Sequence, residues 1–439
     1  MTMNSRSLSI AFVIAILAVG INKHSCQTTQ PSAFKLPSPS GPFGIGRVGY
    51  EWIDSSRPDR YSVNPGAHRD LMVYIWYPLS RSATGRREPY WPGAKEMDAN
   101  PDIHTEMTEE FGTLWPKIVS GEFQSDAIEN ATVVKIPKRF PLVLFSHGLG
   151  GTSFEYTVLI EELVSRGYVV VAIEHTYTAS AVVFPDGRVV VAHHDAMPSG
   201  LSPEEQWKRM GASIALGISE GAGDLIFVLN KLGELNQSGT QQFQMKGKLD
   251  LSRVAAAGHS AGGAFAARAC QLDARIRACV SLDGEMPPVA AFPEYPDGKG
   301  FQQPVLLLEV DQAGKRMPFS LTQYNDFLKK EEAQLNMCPK GSYHVLLNAP
   351  GLFHGSFSDD RLRIASGNTK ETAEALHNLS LTESFTRAFL DKYLKGAKAP
   401  QLDNSSQIPE AKVTRYGHSS HSIKSAQRIQ PPPTTSSPS

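Results

Sequence analysis

Residues 253–269 read RVAAAGHSAGGAFAARA, and the fold turns on how they are read. After Arg253 the next four are small or apolar, as in a short buried strand, and 262–269 is a run of mostly small residues suited to a closely packed helix. Between them stands Gly258-His259-Ser260-Ala261-Gly262, a G-x-S-x-G pentapeptide. A sharp strand-to-helix turn forces its central residue into a strained backbone conformation, and glycine on either side removes side chains that would clash there. The pattern predicts a strand over 253–257, a helix over 262–269, and a Ser260 hydroxyl lifted above the sheet. At the N-terminus of that helix the dipole favours developing negative charge. The plainer alternative is a glycine-rich turn with an incidental serine.

Apolar runs and helical patterns alternate on both sides of this turn. Strands are predicted over 48–53, 71–76, 141–145, 168–173, 278–282, 304–310 and 344–347, and helices over 154–166, 225–232 and 381–394. Strands this apolar, interleaved with helices, fit the α/β class: a mostly parallel central sheet flanked by helices on both faces. Two stretches break the rhythm. Residues 80–135 hold Trp91 and Trp115 without a clear period, as an insertion at the sheet edge or over the site. Within 176–215, AVVFPDGRVVVAH predicts a hairpin turning at Asp186-Gly187.

The 439 residues divide unevenly. Arg6 and the short apolar run over 8–19 read as an export signal within 1–25, too short to span a bilayer. Residues 26–44 read as a Pro/Ser-rich linker, 45–399 as one catalytic domain, and 400–439, ending QPPPTTSSPS, as a disordered tail. The expected location is secreted or periplasmic. A formal charge of −1 argues against nucleic acid as a partner. Beyond Cys26, the cysteines Cys270, Cys279 and Cys338 allow at most one disulfide among themselves.

Acyl transfer at Ser260 needs an oxyanion hole, an acid and a base. The run Phe145-Ser146-His147-Gly148-Leu149-Gly150-Gly151 follows a predicted strand, and its glycines let backbone N–H groups approach an oxyanion. The amides expected to serve are those of Ala261 and of Leu149 or its neighbour. Two acids compete: Asp283 in VSLDGEMPP and Asp311 in LLLEVDQAG, each ending a predicted strand. His354, in the loop GLFHGSFSD before the closing helix, is the candidate base, whereas His344 lies in or beside a strand and reads as structural. His193-His194-Asp195 lacks a third distant ligand for a metal and reads as solvated polar residues. Glu174-His175 either shapes a pocket or packs at a strand edge. The chemistry calls for neither metal nor cofactor.

FSHGLGG, VVVAIEH, GHSAGG and SLDG together resemble the platelet-activating factor acetylhydrolases of the secreted plasma and intracellular type II group, over about residues 45–395. The resemblance implies an α/β-hydrolase fold with a nucleophile elbow at Ser260. It implies Asp283 as acid, His354 as base, and Leu149 and Ala261 as oxyanion donors. The stretch between acid and base is longer here than in that family. The activity implied is hydrolysis of short-chain carboxylic esters, on a small-molecule or lipid substrate and with transient contact to a lipid surface. The alternatives are a broader esterase, lipase or polyester hydrolase, and a non-catalytic binding protein on the same fold.

Overall fold

The structure, a computed structural model, describes residues 36–417 apart from 63, 136, 194–200, 202, 239–242, 244, 285–299, 312–328, 330–331, 366–367 and 404–407. The export signal therefore lies outside the described residues, as do His194 and Asp195. The strands in chain order are β1 (Gly44–Pro58), β2 (His68–Leu79), β3 (Arg87–Pro89), β4 (Gln124–Glu129), β5 (Phe140–Ser146), β6 (Val169–Glu174) and β7 (Ala181–Val183). They continue with β8 (Val189–Val191), β9 (Leu249–His259), β10 (Ile276–Leu282), β11 (Val305–Val310), β12 (Ser342–Leu347) and β13 (Ala411–Tyr416). Eleven form one sheet in the order β13-β12-β11-β10-β9-β5-β6-β2-β1-β4-β3, and β7 pairs with β8 apart from it. The six central strands, β12 through β6, run parallel; β2 and β13 close them on either side in antiparallel register.

Burial on both faces explains the unbroken apolar runs. In β5, Val143 and Phe145 join one core while Phe140, Leu142 and Leu144 join the other, and β9, β10 and β11 alternate likewise. The helices are α1 (Ala94–Asp98), α2 (Pro101–Phe111), α3 (Trp115–Ser120), α4 (Thr157–Ser165), α5 (Pro203–Gln237), α6 (Ala261–Leu272), α7 (Asp360–Ile364), α8 (Thr369–Lys395) and α9 (Pro400–Asp403). Core residues of α4 and α8 cover one face, and those of α5 and α6 the other. The segment Ala212–Gln237 is apolar enough by composition to cross a bilayer. Its Ile218, Ala222, Leu225, Val228, Leu229 and Leu232 are instead spent on the core.

The insertion over 80–135 extends the sheet edge. Its helices gather Trp91, Phe111 and Trp115 against Phe154 of the main body. Asn100 caps α2 by accepting from the Asp102 N–H at 3.0 Å, with Pro101 in the first turn. The predicted hairpin forms about Gly187, which takes φ 85°, with Val183 opposite Val189.

Both ends of the domain need correction. Residues 36–43, expected as linker, pack on α4: Phe43 N–H donates to Ser165 O at 3.1 Å, and Ser40 binds the Glu162 carboxylate through its amide and hydroxyl. Ser40, itself exposed, thus meets the buried Glu162 carboxylate. At the other end the domain does not stop at residue 399. Residues 400–403 form α9, and Ala411–Tyr416 add the edge strand β13 along the whole of β12. An edge strand needs only one neighbour and can keep a polar composition, which hid it.

Candidate active site

The parallel strands converge their C-terminal ends on one rim, where sites form in such sheets. Ser260 joins β9 to α6 with φ 55° and ψ −124°, a conformation non-glycine residues seldom adopt. Its neighbours hold it there. Ser260 N–H donates to Leu282 O of β10 at 2.9 Å, and its carbonyl accepts the Gly263 N–H at 2.9 Å. A Cβ on Gly262 would strike the carbonyls of Ser146 and His147, and one on Gly258 would strike Gly262 O. Only glycine lets the elbow pass this close to β5.

Asp283 follows β10, also at positive φ (47°). Its N–H donates to Leu308 O at 2.7 Å, which folds the residue across the end of β11. There Oδ1 accepts the Val310 N–H at 2.9 Å, and Oδ2 meets His354 Nδ1 at 2.6 Å. With Nδ1–H donated to the carboxylate, Nε2 is the basic nitrogen of His354. Of the two candidate acids, Asp283 is the one brought to His354. Asp311 stands one strand further out, its N–H donating to Leu347 O at 2.8 Å.

His354 opens a short turn that is tied down behind it. The Asp359 N–H donates to Glu155 O at 2.6 Å, and its carboxylate accepts from Tyr90 Oη at 3.2 Å and Val158 N–H at 3.3 Å. The His354 ring lies 4.5 Å from that of His259, the residue immediately before Ser260. The structure thus brings Ser260, Asp283 and His354 to one rim.

The glycine-rich loop after β5 is pinned from both sides. His147, fully buried, donates from Nδ1 to Gly148 O at 2.7 Å and accepts the His175 N–H on Nε2 at 3.2 Å. Burial, and then the neighbouring His175, push it down to about 3, so it stays neutral. Gly150 N–H donates to Thr178 O at 2.9 Å, tying the loop to the excursion after β6. Gly148 spends its N–H on Tyr156 Oη at 3.1 Å. Among the described residues no acceptor pairs with the amides of Leu149 and Ala261, the two expected donors.

Sequence reasoning missed a second Ser-His-Asp line. His175 donates from Nδ1 to Asp224 Oδ2 at 2.9 Å, and its Nε2 lies 2.9 Å from Ser146 Oγ, positioned to accept that hydroxyl. All three are fully buried, so no substrate can reach them. Arg69 grips Asp224 from Nε and Nη2 at 3.1 and 2.7 Å, and Arg57 adds a contact at 2.8 Å. The packing reading of His175 therefore holds. The one available signal was Asp224 itself, an acid inside the apolar run of α5. His344 is structural too, its Nε2 2.7 Å from Glu309 Oε2 on the paired strand. Cys270, Cys279 and Cys338 are free and buried.

Comparison with known proteins places the chain in a family. A family model described as platelet-activating factor acetylhydrolase, isoform II, matches residues 28–190 and 228–411. The platelet-activating factor acetylhydrolase of Cavia porcellus is 29% identical over 273 residues, 58% of this chain and 56% of its own. That of Gallus gallus is 26% identical over 341 residues, 71% and 73% of the two chains. A probable 1-alkyl-2-acetylglycerophosphocholine esterase of Arthroderma benhamiae is 27% identical over 265 residues, 58% and 60%. The chain thus spans from about half to three quarters of these relatives' own length. A solved ferulic acid esterase from Streptomyces cinnamoneus superposes with a TM-score of 0.63 at 26% identity, over 88% of this chain and 99% of that one. The architecture is accordingly that of the α/β-hydrolases. With the matched segments spanning the elbow, the glycine-rich loop, Asp283 and His354, the chain belongs to the platelet-activating factor acetylhydrolase isoform II family.

Proposed function

We propose that this chain is a serine carboxylic-ester hydrolase that removes short acyl groups, of the kind carried by 1-alkyl-2-acetylglycerophosphocholine, through an acyl-enzyme on Ser260. The observation that carries the reading is the 2.6 Å pairing of Asp283 with His354 Nδ1 on the rim that holds the strained Ser260 elbow. His354 Nε2 takes the Ser260 proton as Oγ bonds to the ester carbonyl carbon. The amides of Leu149 and Ala261 hold the oxyanion, and each such donor is typically worth about 3 kcal/mol. Collapse breaks the ester C–O bond, His354 returns the proton to the leaving alkoxide, and water repeats the sequence on the acyl-enzyme. The likeness to a ferulic acid esterase supports a second reading, a broader esterase, lipase or polyester hydrolase.

The proposal extends to place and partner. The apolar run over 8–19 behind Arg6 supports export to a secreted or periplasmic setting. Leu149 and Phe353, exposed beside Gly148 and His354, suit transient contact with a lipid surface.

A fluorophosphonate probe and a panel of esters of rising acyl length test this. Wild type should be labelled at Ser260, and Ser260→Ala should be unlabelled and inactive at an unchanged melting temperature. Asp283→Asn should lower kcat by about 10³- to 10⁴-fold, and Asp311→Asn by less than about tenfold. A folded wild type that stays unlabelled, or Asp311→Asn as the crippling variant, would overturn the assignment. Rates that hold beyond a few acyl carbons would favour the second reading.

A further inference from the structure

We propose that His259 is a positioning residue. Through Tyr156 it couples the loop that carries the Leu149 amide to the loop that carries the His354 imidazole. The inference rests on the reading of Ser260 as nucleophile.

The direction of each hydrogen bond follows from what its groups can do. The backbone oxygen of His354 can only accept, so His259 Nε2, 3.0 Å away, carries a proton and donates it. Burial, and then the nearby His354, push the His259 imidazole well below its usual range and keep it neutral. A neutral ring with its proton on Nε2 has a lone pair on Nδ1, and Tyr156 Oη lies 2.8 Å from it. Tyr156 therefore donates to His259, and its oxygen keeps lone pairs for the Gly148 N–H at 3.1 Å. The result is one polarised chain: Gly148 N–H to Tyr156 Oη, Tyr156 O–H to His259 Nδ1, and His259 Nε2–H to the His354 carbonyl. Each donor is used once, and Tyr156 and His259 are both buried.

Both ends of this chain sit one step from the chemistry. Gly148 precedes Leu149 directly: Tyr156 anchors the loop one peptide before the Leu149 amide, whose own peptide is held at Gly148 O by His147 Nδ1 at 2.7 Å and Gly151 N–H at 3.1 Å. The His354 carbonyl belongs to the residue whose ring serves as base, and that ring packs against His259 at 4.5 Å, tilted by 37°. Because His259 also adjoins Ser260, a single imidazole keeps nucleophile, base loop and oxyanion loop in register. A misplacement of about 1 Å at such a centre can cost 100-fold in rate.

The test uses kcat and KM on a short-chain aryl ester, with melting temperatures, for Tyr156→Phe, His259→Gln, His259→Leu and the double variant Tyr156→Phe/His259→Leu. Tyr156→Phe should lower kcat by about 10- to 100-fold with KM within about twofold. His259→Gln, which keeps a donor toward His354, should recover part of what His259→Leu loses. The double variant should be no slower than the slower single one, as expected for two links of one chain. Full kcat in Tyr156→Phe, or losses that simply multiply, would overturn the coupling. Nitrogen-15 spectra of histidine-labelled wild type give a readout independent of how the variants fold. His259 should hold its proton on Nε2, and a proton on Nδ1 would overturn the chain. Ser260→Ala in the same assay separates the failures. If it stays active the nucleophile reading falls; if it is dead while Tyr156→Phe is fully active, only the coupling falls.

Discussion

Glu174 ends β6 fully buried, accepting the Ser153 N–H at 3.1 Å and bonded to the Ser153 hydroxyl. Burial pushes its carboxyl up to about 7 from an ordinary 4.5, although the Ser153 bonds act the other way. Below about pH 4.5 the folded and unfolded chains both hold the proton, and Glu174 has no effect on stability. As pH rises toward 7 the unfolded chain releases a proton that the folded chain keeps, so stability falls. Above that window the loss is complete, on the order of 3 kcal/mol. Glu174→Gln keeps an acceptor for Ser153 and has nothing to titrate. Urea denaturation should therefore show wild type losing stability relative to Glu174→Gln between pH 5 and 8, and a constant difference would refute the shift. At this scale the sequence was legible where chemistry demands a residue type, as at Gly258, Ser260 and Gly262. Residue pattern alone left Asp283 and Asp311 level, since both end strands, and only the family resemblance favoured Asp283. What separates them is the left-handed backbone at Asp283 and its bond to Leu308 O.

Among the elements, α5 shows most plainly what periodicity leaves out. Its apolar stripe was readable over 225–232, but the helix runs Pro203–Gln237. The buried acid within it serves two arginines and a histidine from other parts of the chain. Burial would raise the Asp224 carboxyl, but Arg69, followed by the His175 hydrogen bond, outweighs this and holds it far below the carboxylate range. Asp224→Asn is nearly isosteric yet strands the Arg69 guanidinium in the interior. Breaking a buried pair this way typically costs about 3–5 kcal/mol. The expected result is a urea midpoint lowered accordingly with the slope unchanged. A loss below about 1 kcal/mol would mean that Arg69 is held by its bond to Thr176 O alone. The same network explains why the loop after β5 stays fixed, because His175 reaches Ser146 by its ring and His147 by its amide.

Across the whole molecule, the central strands were legible because both of their faces are buried, which writes an apolar run into the sequence. Its margins were not, because margins are made by pairing rather than by composition. β13 shows the consequence. Residues Ala411–Tyr416 alternate weakly and carry Lys412 and Arg415, yet each pairs with a residue of β12, from Leu347 opposite Ala411 to Ser342 opposite Tyr416. The approach is fastened as well: Asp403 accepts from Tyr343 Oη and Lys392 Nζ, both at 2.8 Å, and Asn348 N–H donates to Glu410 O at 2.7 Å. A chain ending at residue 399 would leave β12, with buried Tyr343, Val345 and Leu347, as an open edge able to pair with another copy. Compared with a chain ending at residue 417, it should melt at least about 5 °C lower. Light scattering should also show it associating with rising concentration while the longer chain stays as it was. Ser260 and Asp283 follow strands inward of this edge, and the His354 turn after β12 is held from the other side through Asp359 by Glu155, Tyr90 and Val158, so whatever fraction remains folded should keep its kcat. Equal melting temperatures for the two truncations would show that the sheet ends, in energetic terms, at β12.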